Sequence, residues 1–193
     1  MGKVDLKKLE EIGRELLLAI HEDPNREGLR RTPKRFAKAF AELTRGYFDT
    51  RKYDVKFTEQ SNLIVLSHIR FFSLCEHHLL PFFGYVHVAY IPRRKVLGAS
   101  KIIRIVEKFS RRLQIQERMT GQIADELWNL LEPYGVMVIA EGIHLCMMMR
   151  GVRNEGRLKT SSLRGVFLWS ANPRNEALSI IYGGGKTASR ILG

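Results

Sequence analysis

Two short segments of the chain contain the side chains best suited to bind a metal ion. Residues 73–84 read SLCEHHLLPFFG, in which Cys75 and His78 have the spacing of a metal-binding pair. A second thiol, Cys146, follows far downstream in HLC. Two thiolates and one imidazole form a ligand set that suits zinc. The sequence therefore predicts a zinc site with Cys75, His78 and Cys146 as its ligands.

Three protein ligands without an obvious fourth favour a catalytic zinc site over a structural one. Structural zinc is usually closed by four side chains, whereas catalytic zinc keeps one position for water and lowers the pKa of that water to about 7. His77 and His144 stand next to ligands without being needed as ligands. Because an unperturbed imidazole titrates at about pH 6.5, we predict that both histidines transfer protons.

The same residues allow other interpretations: a disulfide, two buried thiols, or histidines hydrogen-bonded in a core. A disulfide is disfavoured because the N-terminus MGKVDLKKLEEIG is charged throughout and lacks the apolar core of a signal peptide. We therefore expect a reduced, cytoplasmic protein.

Length and composition are typical of a soluble enzyme domain. The chain has 193 residues, 45% of them hydrophobic, and no apolar run approaches the ~20 residues needed to cross a bilayer. We expect a helical extension over residues 1–50, a catalytic domain over 51–182 and a flexible tail over 183–193. The tail resembles a phosphate loop only superficially, because that motif would need a glycine where Ile180 stands.

The net charge of +12 favours anionic partners, either polynucleotides or phosphorylated small molecules.

Two helices are predicted near the N-terminus. In the first, apolar residues recur at helical spacing and should face the core: Leu9, Ile12, Leu16 and Ile20. Thr32 and Pro33 are a strong signal for the start of the second helix, with Thr32 as its cap. Arg35 and Lys38 follow in its first turns, where an anion is favoured, so phosphate contact is plausible there, although a solvated face is the commoner explanation.

Two antiparallel strands, LIVLSHIRFF and YVHVAYI, are predicted on either side of the CEHH segment. A helix opening at Ser100 and another restarting near Thr120 follow. The first carries a basic stripe, for which a solvated face is again the simplest explanation: Lys101, Arg104, Lys108 and Arg111. A final strand, IHLCMMMR, should place alternate residues on one face: His144, Cys146, Met148 and Arg150.

Taken together, these residues resemble the GTP cyclohydrolase I family of zinc enzymes. The resemblance is carried by five segments: TPKRFAK (32–38), SLCEHHLLPFFGYVHVAYIP, VLGASKIIRIVEKFSRRLQIQERMTGQIA, GVMVIAEGIHLCMMMRGV and TSSLRGVF (160–167). It implies zinc-dependent conversion of GTP to 7,8-dihydroneopterin triphosphate and formate, the first step of pterin and folate biosynthesis.

The resemblance also implies roles for individual residues. Cys75, His78 and Cys146 match the zinc ligands, and His77 and His144 match the proton-transfer histidines. Glu117, with its neighbour Gln116, matches the residues that recognise the guanine edge, a task that suits a carboxylate because it accepts hydrogen bonds from N1–H and from the exocyclic amine. The residues that match the ribose and triphosphate site are Ser100, Lys101, Arg104, Arg150, Arg35 and Lys38.

The fold implied by the resemblance is the α+β tunnelling fold, an antiparallel sheet with a helix pair on one face, preceded by N-terminal helices. Family members generally form a decamer of two stacked pentamers with active sites at subunit interfaces, in which Glu117 would face a zinc from an adjacent subunit. Two alternatives remain: a same-fold enzyme acting on another purine or pterin, or a zinc-stabilised nucleic-acid-binding module. The second lacks a fourth ligand and clustered aromatic and basic residues.

Overall fold

Two helices that pack on each other form the N-terminal part of the chain. The computed structural model describes residues 4–53, 57–59 and 61–183. Helix α1 spans Leu6–Ala19, helix α2 spans Thr32–Leu43, and a short 3₁₀ helix follows at Arg45–Phe48. Asp5 caps α1 by accepting a hydrogen bond from the backbone N–H of Lys8 at 3.0 Å.

The predicted orientation of α1 is wrong within a single chain. Its packed face is formed by Gly13 and Leu17, while Ile12 and Leu16 are 48% and 52% exposed. A Cβ on Gly13 would lie 2.9 Å from the ring of Phe36, so the absence of a side chain there lets α2 approach closely. Helix α2 begins at Thr32 itself, one residue earlier than a Thr32 cap would imply, with Pro33 in its first turn as predicted.

The remaining elements follow in chain order. They are β1 (Phe57–Thr58), β2 (Ile64–Cys75), β3 (Pro81–Ile91), β4 (Lys95–Val96), α3 (Ala99–Ser110), β5 (Leu113–Gln114), α4 (Gln116–Leu131), β6 (Gly135–His144), α5 (Leu145–Met148), β7 (Arg157–Gly165), α6 (Val166–Trp169) and α7 (Ala171–Tyr182).

One five-stranded sheet, in the order β5-β2-β3-β6-β7, organises these elements. Its long strands pair antiparallel, while the short β5 pairs with the end of β2 in parallel. β1 and β4 form a separate two-stranded sheet. The predicted α+β fold of the tunnelling type is confirmed: an antiparallel sheet, a helix pair on one face, and helices before it.

The main core lies between the sheet and the pair α3 and α4. Alternate residues of β3 and β6, such as Val86, Val88 and Val138, point to this face and are fully buried against Ile105 and Leu127 of the helices. Each such side chain contributes about 1.5–3 kcal/mol by leaving water. The rigid sheet therefore fixes the ends of β2 and β6, where the predicted site residues lie.

The opposite face of the sheet is partly covered by α6 and α7, a pair of helices that the sequence reasoning did not anticipate. Phe167, Ala177 and Ile181 pack there against Met137 and Ile139 of β6. Of the predicted flexible tail, only Gly183 falls among the described residues, so that prediction lies outside them. Among the helices of the described ranges, none has the length and apolarity that a membrane crossing requires.

The predicted strand IHLCMMMR ends at His144, and the expected alternation of its side chains is wrong. The chain turns into α5 at Leu145, with the N–H of Met149 donating to the carbonyl of Leu145 at 3.0 Å. The strand ends because its partner does: His144 pairs with Phe82, one residue from the beginning of β3 at Pro81. Cys146 therefore reaches its position through a helical turn.

Candidate active site

Three potential metal ligands converge where β2 and β6 end. Cys75 is the last residue of β2, His78 follows in the turn, and Cys146 lies in α5. One ligand atom from each side chain lies within 4.8 Å of the other two, and Cys75 Sγ is 3.7 Å from His78 Nδ1. The structure thus brings together the three residues that ligand type and spacing had singled out.

The chemistry of this cluster fits zinc. Bonds of about 2.1 Å to nitrogen and 2.3 Å to sulfur, in a tetrahedron, separate neighbouring ligand atoms by about 3.5–3.8 Å. The separation between Cys75 and His78 falls in this range. Both cysteines are free thiols, and burial together with the neighbouring Cys75 raises the pKa of Cys146.

The two predicted proton carriers have different surroundings. His77 is exposed in the turn after β2, and its Nδ1 lies 3.8 Å from Cys75 Sγ. His144 is only 9% exposed, and its ring is stacked on Phe82 with centroids 4.5 Å apart and planes within 7°. Burial lowers the pKa of His144, while the charge of Glu117 opposes that shift. His144 is thus held in a fixed orientation, in surroundings that favour its neutral form.

Glu117 lies in the first turn of α4, next to Gln116, whose side chain contacts His144. The restart of this helix had been predicted near Thr120, but α4 begins at Gln116, so Glu117 is part of it. The Glu117 side chain is exposed and its charge acts on His144. The expectation that Glu117 faces the zinc of an adjacent subunit stays a prediction.

An ion pair links the metal-binding turn to the start of α4. Glu76, between Cys75 and His77, accepts hydrogen bonds from both terminal nitrogens of Arg118, and the bond from Nη2 is 3.1 Å long. The Arg118 guanidinium lowers the pKa of Glu76. Sequence reasoning missed this pair, because a single Glu and a single Arg 42 residues apart carry no signal that they meet.

The profile of the GTP cyclohydrolase I family matches residues 9–182 of this sequence. The chain belongs to the GTP cyclohydrolase I family. The matched range includes every residue predicted for the site, from Arg35 and Lys38 to Arg150.

Curated members of the GTP cyclohydrolase I family are similar over nearly the full chain. GTP cyclohydrolase 1 of Hyperthermus butylicus is 56% identical over 178 residues, which cover 92% of each chain. The protein of the same name from Deinococcus radiodurans is 51% identical, covering 91% of this chain and 83% of its own. That from Aquifex aeolicus is 48% identical, covering 93% and 98%. Among solved structures, the archaeosine synthase QueF-Like in the apo form is similar with a TM-score of 0.43 and 21% identity, covering 54% of this chain and 96% of that one.

The residues that resemble the phosphate site of GTP cyclohydrolase I lie on two helices and in the loop after α5. Arg35 and Lys38 are exposed on α2, Ser100 and Arg104 are exposed on α3, and Arg150 follows α5. Arg150 is close enough to Cys146 to favour its thiolate form. Their role in binding phosphate stays a prediction.

The basic stripe predicted on α3 is only partly available to an anion. Lys108 donates to Glu126 of α4 at 2.6 Å, and Arg111 lies over the ring of Phe72 at 5.6 Å. These two cations therefore hold the helix to its neighbours, which leaves Arg104 as a solvent-facing charge of the stripe.

Gln116 lies inside the protein, beside His144. Its side chain is fully buried, and Oε1 lies 3.1 Å from His144 Nε2. Its Nε2 faces two backbone carbonyls, of Ala140 and Leu158. Nothing in the local sequence QIQER could have revealed this, because the partners come from β6 and β7.

Proposed function

We propose that this chain is a zinc-dependent GTP cyclohydrolase I, which converts GTP to 7,8-dihydroneopterin triphosphate and formate as the first step of pterin and folate biosynthesis. The observation that carries the proposal is the convergence of Cys75, His78 and Cys146 beside the helix start that bears Glu117, in a chain of this family.

Cys75, His78 and Cys146 would hold the zinc ion. When bound, zinc would supply an acidified water for hydrolysis and a Lewis acid at neutral pH. The Cys-His-Cys set leaves one coordination position for water, which supports a catalytic and not a structural site. Since thiol ligands must stay reduced, a cytoplasmic location is part of this proposal.

The chain's own residues would bind the substrate at its two ends. The carboxylate of Glu117 accepts hydrogen bonds from N1–H and the exocyclic amine of guanine, the donor pair that distinguishes guanine from adenine. Six residues are proposed to bind the ribose and triphosphate: Ser100, Lys101, Arg104, Arg150, Arg35 and Lys38. Their charge, within a chain of net charge +12, suits a polyanionic ligand.

His77 and His144 would move the protons. Opening the imidazole ring of guanine, releasing formate and rearranging the ribose each require proton transfer to or from nitrogen or oxygen. His77 is exposed beside the cluster and can exchange protons with solvent, whereas His144 is buried against Phe82 and offers a ring of fixed orientation. The two histidines are thus suited to different transfers.

A homodecamer of two pentamers is also part of the proposal. Ile12 and Leu16 of α1 and Val152 after α5 are large apolar residues exposed in the single chain. In the described sheet β7 is an edge strand, so its outer backbone groups are free to pair with a neighbouring subunit. Light scattering coupled to size-exclusion chromatography would give a mass of about ten 22.3 kDa chains; a monomer that turns over GTP would contradict this part of the proposal.

A panel of purine triphosphates tests the substrate assignment. The zinc-loaded protein should consume GTP, leave ATP unchanged, and process ITP with kcat/KM lower by about 10- to 100-fold, because ITP lacks the amine that donates to Glu117. Turnover of another purine with GTP inert would favour the same-fold alternative. Binding of DNA that weakens steeply with salt, without turnover of any triphosphate, would favour the nucleic-acid module.

A further inference from the structure

We propose that Gln116 acts through His144, as the positioning residue that fixes its tautomer, and does not contact guanine. The proposal rests on the proposed function, since it assigns a role within the same site. It is carried by the hydrogen bond between Gln116 Oε1 and His144 Nε2, 3.1 Å long.

The orientation of the Gln116 amide is determined by its surroundings. Its Nε2 lies 3.0 Å from the carbonyl oxygen of Ala140 and 2.9 Å from that of Leu158, both of which can only accept hydrogen bonds. Rotating the amide by half a turn would place Oε1 against these two oxygens. The amide nitrogen must therefore face β6 and β7, and the oxygen must face His144.

This orientation decides which ring nitrogen of His144 carries the proton. Gln116 Oε1 can only accept, so His144 Nε2 must donate. A neutral imidazole has one N–H, which leaves Nδ1 with the lone pair. The hydrogen bond with Gln116 thus leaves Nδ1 as the other ring nitrogen of His144, and the stacked Phe82 ring restricts rotation out of this arrangement.

A direct contact between the Gln116 side chain and guanine conflicts with the same observations. The side chain is 0% exposed, and its oxygen and nitrogen both have partners, including Thr160 Oγ1 at 3.2 Å. Reaching a ligand would break the hydrogen bonds that Gln116 Nε2 donates to these two carbonyls, at a cost of about 0.5–1.5 kcal/mol each. Glu117, the next residue, is exposed and can recognise the base alone.

Gly142 provides the space that this arrangement needs. A Cβ at this position of β6 would lie 2.4 Å from Gln116 Oε1 and 3.4 Å from the Phe71 ring. Any side chain here would displace the amide oxygen from His144. Gly142→Ala therefore disturbs the hydrogen bond without altering a residue that touches metal or substrate.

Two variants separate positioning from simple stability. Gln116→Met keeps the volume of the side chain but removes the acceptor for His144. The matched control is Thr120→Val, which removes a buried hydroxyl from the same cluster. Thr120 Oγ1 donates to the Gln116 backbone carbonyl at 2.7 Å and contacts Thr160 Oγ1. The change leaves the contact of Gln116 with His144 and its bonds to the carbonyls of Ala140 and Leu158 in place. We expect kcat to fall about 10- to 100-fold in Gln116→Met with KM changed less than about twofold, and to stay within about twofold in Thr120→Val. Equal losses of kcat in both would overturn the proposal.

The tautomer itself can be observed without turnover. The measurement uses zinc-loaded protein with ¹⁵N-labelled histidine. The imidazole signal of His144 is the one that is absent in His144→Asn. In the wild type this signal should show the proton on Nε2. In Gln116→Met the proton should redistribute between the two ring nitrogens. Gly142→Ala should show the same redistribution, so either variant can serve if the other folds poorly. If the wild-type protein carries the proton on Nδ1, the proposal is overturned even when GTP is consumed. If the wild-type protein does not consume GTP, the proposed function is contradicted, and the tautomer measurement alone decides this proposal.

Discussion

Cys75 pairs with Gln114 across the parallel contact between β2 and β5. The pairing continues through the N–H of Glu76, which donates to the carbonyl of Gln114 at 3.1 Å. Because α4 begins at Gln116, this contact holds the first metal ligand beside the helix start that carries Glu117. The proposed metal ligand and the residue proposed to recognise the base are thus linked by one short stretch of backbone pairing.

Removing one thiol should remove the metal. We expect Cys146→Ser to lose bound zinc, measured by elemental analysis after gel filtration, because a hydroxyl is a much poorer zinc ligand than a thiolate. Met147→Ala, a neighbouring change in the same helical turn, is the control and should keep its zinc. Zinc bound at the wild-type level in Cys146→Ser would mean that the ligand set is wrong.

Glu117→Gln should separate substrate binding from metal binding. The amide presents one acceptor oxygen to two guanine donors, so KM for GTP should rise by about 10- to 100-fold, while the zinc content stays unchanged. Glu132→Gln, a change of the same type at the exposed C-terminal end of α4, should have no such effect. Steady-state kinetics with elemental analysis of each variant would measure both quantities. A loss of zinc in Glu117→Gln would show that the residue belongs to the metal site.

The metal site was the most predictable part of the molecule from sequence, and the reasons are physical. Ligand type and short spacing identified Cys75 and His78, and a local motif identified Cys146. The helical turn that positions Cys146 depends on where β3 begins, at Pro81, and this cannot be read from the alternating pattern after His144.

The errors share one cause: they depend on partners distant in sequence. The helical periodicity of α1 was real, yet Ile12 and Leu16 are exposed because Gly13 allows the closer approach to α2. Cys146 was placed on a strand, but β6 ends at His144, which pairs with Phe82 near the beginning of β3 at Pro81. Periodicity and motifs report local preferences, whereas tertiary packing determines which face is used.

Acid should destabilise the fold through His87, a buried histidine on β3. Burial is the main cause that lowers its pKa to about 4, the charges of His68 and Lys159 add to the shift, and Glu141 opposes it. Its Nδ1 also accepts the backbone N–H of His68 at 3.3 Å, a bond that protonation there would break. Between about pH 6.5 and pH 4 the unfolded chain binds a proton that the folded chain does not, so the free energy of unfolding falls as pH falls, by up to about 3 kcal/mol.

Urea unfolding at about pH 7 and pH 5 would measure this dependence. The control is His87→Asn, because the Asn side-chain oxygen can still accept a hydrogen bond from the backbone N–H of His68. The contribution of His87 is the part of the decrease in the free energy of unfolding that this variant does not show. Burial also lowers the pKa of His144, which remains in His87→Asn. The variant should therefore keep a smaller pH dependence of its stability. An equal loss of stability in wild type and variant would exclude His87 as a source.

Two glycine substitutions should have opposite effects on stability. A Cβ on Gly84 of β3 would lie 1.9 Å from the carbonyl oxygen of Glu141, so Gly84→Ala must separate β3 from β6 and should greatly reduce the yield of folded protein. At Gly121 in α4 a Cβ would have no neighbouring atom within 4 Å, so Gly121→Ala should stabilise by about 0.5–1 kcal/mol through its helix propensity. Thermal unfolding monitored by circular dichroism would compare the two. Equal melting temperatures would contradict the strand pairing described for β3 and β6.

The most direct test of the central claim is to follow both products of GTP turnover in one reaction. Zinc-loaded protein should release formate and generate the near-ultraviolet absorbance of a dihydropterin in equal amounts, and both signals should disappear on removal of zinc and return on its addition. Formate without the dihydropterin would support ring opening but contradict the rearrangement. Neither product, from zinc-loaded and folded protein, would contradict the assignment of this chain as a GTP cyclohydrolase I.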